Sequence, residues 1–178
     1  MKSLASSSGK CLLVAFMLVA CSKNEVEGIV SPAPPKPIKQ AVTITIDLST
    51  GYVTHAGKEW LDNTGLVHVQ DHITEGQKVS GDLVGTLKTM CTNSVRDPQT
   101  GDCQQSLLVE FATKWPAQNH EGIFYAAMQQ EFKAGVRVPA SLKAQGQGGF
   151  KEFDLEITLE EQEWNPNLLV GKGWIVAH

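Results

Sequence analysis

No segment of this chain sustains a helical period, and its apolar run Cys11–Ala20 stops at ten residues, too few to cross a bilayer as a helix. There is no Gly-x-Ser-x-Gly elbow to present a nucleophilic serine. Gly146–Gly149 lacks the following Lys-Ser or Lys-Thr of a phosphate-binding loop. Basic charge is scarce, with 15 Lys and Arg against 19 Asp and Glu for a net charge of −4. That balance removes the electrostatic reason to hold nucleic acid or an anionic membrane face. Cysteine is limited to four residues, and no second pair of ligands stands near Cys91 and Cys103 to complete a zinc site. No metal, no cofactor and no catalytic residue is therefore expected.

What is present begins with an address. Lys2 and Lys10, the short apolar run and the small residues at its end have the form of a secretory signal peptide over residues 1–20. Within it, Leu18-Val19-Ala20-Cys21 resembles the lipobox of bacterial lipoproteins. The resemblance implies cleavage after Ala20, diacylation of the Cys21 sulfur and acylation of the amino group so freed. The implied partner is a lipid bilayer, because each buried methylene contributes about 0.8 kcal/mol and more than one acyl chain makes attachment stable. Ser22 stands where retention signals of that family show Asp, which implies the outer membrane in a source with two membranes. The plainer alternative is an ordinary signal peptide with Cys21 as an incidental thiol. Cleavage removes two lysines and no acid, taking the net charge from −4 to −6.

Residues 21–40 carry four prolines between Pro32 and Pro37 and few large apolar side chains, the composition of an extended spacer reaching on the order of 50 Å. Residues 41–178 supply one domain's worth of chain. In that domain Cys91 and Cys103 are an even pair in an oxidising compartment, and a disulfide between them is expected. It would close a loop of about a dozen residues and contribute about 3 kcal/mol on the chain-entropy model.

The domain reads as strands. Val42, Ile44, Ile46 and Leu48 alternate with polar residues, the period of a half-buried strand. Tyr52–Ala56 is a weaker strand. Leu66–Ile73 alternates again after the turn residues Asp62-Asn63-Thr64-Gly65, with Asp71 on the same face as Val67, Val69 and Ile73. Thr74–Gln77 is expected to turn the chain into a long strand from Val79 to Met90. Residues 107–111 and 122–132 supply two more strands, and residues 133–149 an irregular connection. Phe153–Leu159 alternates, and Trp174–Ala177 closes the chain, with Asn165-Pro166-Asn167 as the turn between. Short helical turns are admissible only at Ser141–Ala144 and Glu160–Trp164. About eight antiparallel strands with glycines that permit bending argue an all-β fold, a single eight-stranded barrel, with a two-sheet sandwich as the alternative.

Glycine punctuation carries a second resemblance. Residues 76–87 (GQKVSGDLVGTL), Gln147-Gly148-Gly149-Phe150 and Gly171-Lys172-Gly173-Trp174 together look like allene oxide cyclase and dirigent-type barrels. The resemblance implies an antiparallel barrel holding a small apolar molecule, in some members with cyclisation or radical coupling, and carries over no catalytic residue. His68 and His72 cannot share an ion on one strand, where residues four apart stand about 13 Å from each other. Asp71, Tyr125 and Phe111 are the candidate pocket residues: a carboxylate on an apolar face, a phenol and a core ring. The function expected is a membrane-anchored envelope lipoprotein, not an enzyme, whose barrel binds a small apolar ligand. The alternatives are a structural or protein-interaction role, presenting a surface to another envelope protein, and an isomerase or cyclase. Replacing the acylation site, Cys21→Ser, is expected to release the protein from membranes into the soluble fraction; membrane association surviving that change would remove the anchor.

Overall fold

The computed structural model describes residues 38–178; the signal segment, Cys21 and most of the proline-rich spacer lie outside the described residues. Twelve strands account for about three quarters of the described chain: β1 (Lys39–Asp47), β2 (Tyr52–His55), β3 (Lys58–Leu61), β4 (Val67–Gln70), β5 (His72–Gly81), β6 (Val84–Arg96), β7 (Cys103–Trp115), β8 (His120–Lys133), β9 (Val136–Arg137), β10 (Ala140–Gly148), β11 (Phe153–Gln162) and β12 (Asn165–Ala177). Every pairing is antiparallel. The order β5-β1-β12-β11-β10-β8-β7-β6 returns to its start through a β5–β6 pairing, which closes an eight-stranded barrel and leaves no sandwich. Most of the ring is an up-and-down meander from β5 to β12, with β1 inserted between the two ends of that meander.

The additional strands extend the ring at one rim. β2 pairs the first residues of β5, at Ile73–Glu75, on the edge that β1 uses further along, at Lys78–Gly81. In the same way β4 takes the end of β6, at Ser94–Arg96, beyond the stretch that β5 occupies, and β3 flanks β4. β9 is a short addition to β8.

Several elements differ from the sequence expectation, each for a local reason. The strand expected over residues 66–73 breaks at Asp71, which sits at φ 57°, a left-handed position that a short polar side chain tolerates. The turn expected at Thr74–Gln77 is instead a bulge inside β5, with Gly76 at φ 79°. The strand expected over residues 79–90 folds back on itself as a hairpin at Gly81, φ 109°, whose neighbour Asp82 accepts a hydrogen bond from the Thr43 backbone N–H at 2.7 Å. The irregular connection over residues 133–149 contains β9 and β10. In β10 the inward row is the small or medium set Ala140, Leu142 and Ala144, so its alternation carries little hydrophobic contrast. Ser141–Ala144 and most of Glu160–Trp164 are strand rather than helical turn, and β12 begins at Asn165 instead of Trp174.

The disulfide is also corrected. Cys91 and Cys103 are buried free thiols. Residues 97–102 form a tight turn held by the Asp97 carboxylate, which accepts from the Gln99 N–H at 2.8 Å, and this sets Cys103 opposite Arg96. Cys91 pairs Leu107, four residues further along β7, about 13 Å away at 3.3 Å per residue. A bridge needs a Cα separation of about 4.4–6.8 Å.

The core is the inside of the ring. Ile44, Ile46, Val79, Leu83, Phe111, Phe124 and Leu155 are fully buried, drawn from five of the eight staves and the β5–β6 turn. Gly171 and Gly173 lie on the inner face of β12, where a Cβ at Gly171 would meet Ile44, Ile157 and Leu159 at 2.9–3.1 Å. A Cβ at Gly173 would overlap the Glu156 carbonyl oxygen. Gly173→Ala is expected to lower unfolding stability by more than about 2 kcal/mol, since relief requires moving a neighbouring strand. The exposed neighbour substitution Lys172→Ala should stay within about 0.5 kcal/mol; urea unfolding midpoints of the two variants measure the contrast.

Candidate functional site

The inward rows of β7 and β8 grade from aromatic to polar in the same direction. On β7 the inward positions are Trp115, Thr113, Phe111, Val109, Leu107, Gln105 and Cys103; on β8 they are Phe124, Ala126, Met128 and Gln130. One end of the ring is thereby stoppered. Phe150, from the β10–β11 turn, stacks on Phe124 with centroids 4.4 Å apart, and Phe153 stands edge-on to Trp115 at 5.9 Å and against His120 at 5.0 Å. Phe111 and Val109 lie next to this packed region and form the floor of a hollow at the other end.

That hollow has two adjoining chambers. The inner one, about 210 Å³, is walled by Leu48, Leu87, Leu107, Met128, Leu142, Leu159 and Leu169, with His72, Gln77, Gln105, Gln130 and Arg137 among them. The outer one, about 300 Å³, lies toward the rim between Glu59, Val69, Ser94, Arg96 and Cys103. His72, Cys91 and Gln105 belong to both. The two bulges build this polar lining. Gly76 changes the parity of β5 so that His72 and Thr74, as well as Gln77 and Val79, face inward, and a bulge between Cys91 and Asn93 does the same for Ser94 on β6.

The polar groups in the chambers are unevenly satisfied. Gln130, 1% exposed, spends its side-chain N–H donors on the Glu131 and Val138 carbonyls, each at 2.8 Å, and so ties β8 to the segment between β9 and β10. His72 reaches the Ala56 carbonyl with Nδ1 at 3.2 Å and the Thr74 hydroxyl with Nε2 at 3.3 Å. Gln77 is 8% exposed and its Oε1 has no partner. The Arg137 guanidinium lies 4.7 Å from the Phe132 ring centroid, its Nε is buried without a hydrogen bond, and the nearest carboxylate, Glu161, stands 3.7 Å away. Burial pulls the Arg137 pKa below its ordinary value, and Glu161 opposes that shift.

The outer chamber is roofed by the β3–β4 hairpin. Trp60 stacks on His68 at 5.0 Å with the rings 7° from parallel. The Asp62 carboxylate lies 2.8 Å from His68 Nε2 and accepts from the Thr64 and Leu66 N–H groups, a set of contacts led by His68 that holds its pKa far below the usual range.

Of the three pocket residues expected from the sequence, only Phe111 lines the chamber. Asp71 is exposed at the kink before β5, so its carboxylate is returned to water. Tyr125 faces outward, 37% exposed, in a groove of about 450 Å³ on the outer wall with Lys88, Met90, Leu108 and Ala127. His72, which a regular strand would set on the face opposite Asp71, Val67 and Val69, lines the interior because Asp71 resets the strand. Gln105 and Gln130 carried a legible signal: each is the polar end of an inward apolar row. Arg137 carried none, lying in a segment without strand pattern.

Burial raises the Cys91 thiol pKa, with the neighbouring Cys103 adding to the effect, so less of it is thiolate near pH 8 than of an ordinary cysteine. Labelling with a thiol reagent at pH 8 is expected to modify native Cys91 about tenfold more slowly than the urea-unfolded chain. Peptide mass spectrometry should then find both Cys91 and Cys103 labelled after unfolding without reductant; a linked Cys91–Cys103 peptide pair would contradict the free thiols. Comparison of the chain with protein-family models, curated proteins and solved structures found no match.

Proposed function

We propose that this chain is a membrane-anchored cell-envelope lipoprotein, held by acylated Cys21, whose barrel binds a small, largely apolar ligand in its open end. The observation that carries the reading is the asymmetry of the interior: packed by aromatic rings at one end, hollow at the other. The two adjoining chambers offer room of the size that small-molecule sites occupy, about 300–1,000 Å³, where the inner one alone does not. Apolar walls supply the driving force and a few polar groups fix orientation, the usual division of labour in such sites.

A cyclase or isomerase fits this geometry less well. No carboxylate lines the inner chamber: Asp71 is exposed, Glu161 faces Arg137, and Glu59 belongs to the outer chamber. One observation favours protein interaction as a second reading: the outer groove beside Tyr125 carries Leu108, 43% exposed, next to Met90 and Ala127 on a strand surface.

Native mass spectrometry of the chain purified from its own host is expected to show a co-purifying small molecule. Leu107→Trp, which fills the inner chamber from its β7 wall, should abolish that adduct while circular dichroism stays that of a β-protein. An adduct that persists in the filled variant would place the ligand elsewhere, and a chain consistently free of any small molecule would overturn the carrier reading.

A further inference from the structure

We propose that the ligand of the inner chamber is a small monocarboxylate, its carboxylate on the Arg137 guanidinium and its apolar body among Leu107, Val109, Leu142 and Leu159. The inference rests on the barrel's being a ligand-binding site and names the class of ligand.

Arginine is permanently charged, and its planar fork of N–H donors matches a carboxylate in two parallel hydrogen bonds. A guanidinium withdrawn from water is costly unless paired and hydrogen-bonded. Arg137 is withdrawn, its side chain 17% exposed, and its pairing is incomplete: Glu161 at 3.7 Å lies past hydrogen-bond range, and Nε donates to nothing. The Phe132 ring stabilises the charge from one face but accepts no N–H in the guanidinium plane. An unused Nε donor on a loosely paired charge therefore stands beside a wall of leucines.

A second group marks the same chamber as a site for a guest with a polar end. Gln77 comes from β5, not from the segment that carries Arg137, and lines the same chamber with an unpartnered Oε1 at 8% exposure. An acceptor there and a cationic donor at Arg137 suit a guest that is an acid and also carries a donor, such as a hydroxyl, without requiring one. Gln130 is excluded from recognition through its N–H groups, which the Glu131 and Val138 carbonyls already occupy. The chamber's 210 Å³ holds about seven water-sized units at roughly 30 Å³ each, which sets the size of the acid when the outer chamber is not used.

The test uses isovalerate and its uncharged isostere isovaleramide, titrated into the full chain and followed by ligand-observed NMR. Isovalerate is expected to bind about tenfold more tightly than the amide, as a charge-assisted hydrogen bond implies. Arg137→Gln should bring the acid down to the affinity of the amide while leaving the amide unchanged. Glu161→Gln, which removes the carboxylate competing for the guanidinium, should tighten isovalerate several-fold. Should Arg137→Gln fail to fold, Glu161→Gln decides, and an unchanged affinity there overturns the proposal. Equal binding of acid and amide to the unaltered chain overturns the carboxylate and leaves a neutral-ligand barrel standing. Binding of neither overturns it too, and if no molecule co-purifies with the chain either, the carrier reading falls with it.

Discussion

Closure of the ring between β5 and β6 is the constraint from which the rest of the architecture follows. An eight-stranded barrel encloses a space only about as wide as the side chains pointing into it, so the size of the residue at each level decides whether that level is solid or hollow. Rings from Trp115, Phe124, Phe150 and Phe153 fill one end. Gly171 and Gly173 leave the middle of the β12 wall bare, and branched side chains from β1 and β11 use the space. At the other end the inward residues shorten or turn polar. There Thr74, Thr89, Cys91 and Gln105 leave the hollow that larger apolar side chains would have closed.

The same closure explains the bulges. β5 meets β2 and β1 in succession along one edge, and β6 meets β5 and β4 along one edge, so both strands must bend where the partner changes. A bulge supplies the bend and adds one residue to one side, which reverses inside and outside for everything beyond it. Polar residues that alternate outward in a regular strand are thereby turned into the mouth. A polar mouth costs stability where its groups lack partners, as Gln77 Oε1 and Arg137 Nε do, and neither group is needed to close the ring.

This is also where the sequence stops being readable. Alternation in β1, β7, β8 and β11 is strong, because large apolar residues face in and charged ones face out, and those strands, the all-β class and the barrel follow from it. Phe111 follows too, as an interior residue of a well-patterned row. Parity fails at Asp71, Gly76 and Thr92, where one left-handed residue or one inserted residue flips a face without altering composition. His72 and Asp71 exchange places for that reason. β10 escapes notice because Ala140 and Ala144 carry too little hydrophobic contrast, and with β10 hidden the segment bearing Arg137 reads as loop. The cysteine pair misleads differently: an even count in an oxidising compartment is a statement about chemistry, while the register of one hairpin decides distance.

The direction in which the chain enters the barrel ties the open end to the anchoring reading. Lys39, the first residue of β1, lies opposite Val176, and Ile38 accepts a hydrogen bond from Ala177 beside the start of β11 at Phe153, which belongs to the aromatic stopper. β1 then runs the length of the wall and ends at Asp47, next to Leu48 in the lining of the inner chamber. The polypeptide thus joins the ring at its solid end and the hollow opens at the far one. A tether attached upstream of Lys39 would pull on the stoppered end, so the proposed anchoring through Cys21 and the proposed admission of a small molecule would make no competing demand on the same rim. Had β1 run the other way, the spacer would have had to leave past Arg137 and the β3–β4 roof, and every entry into the chamber would have had to clear it.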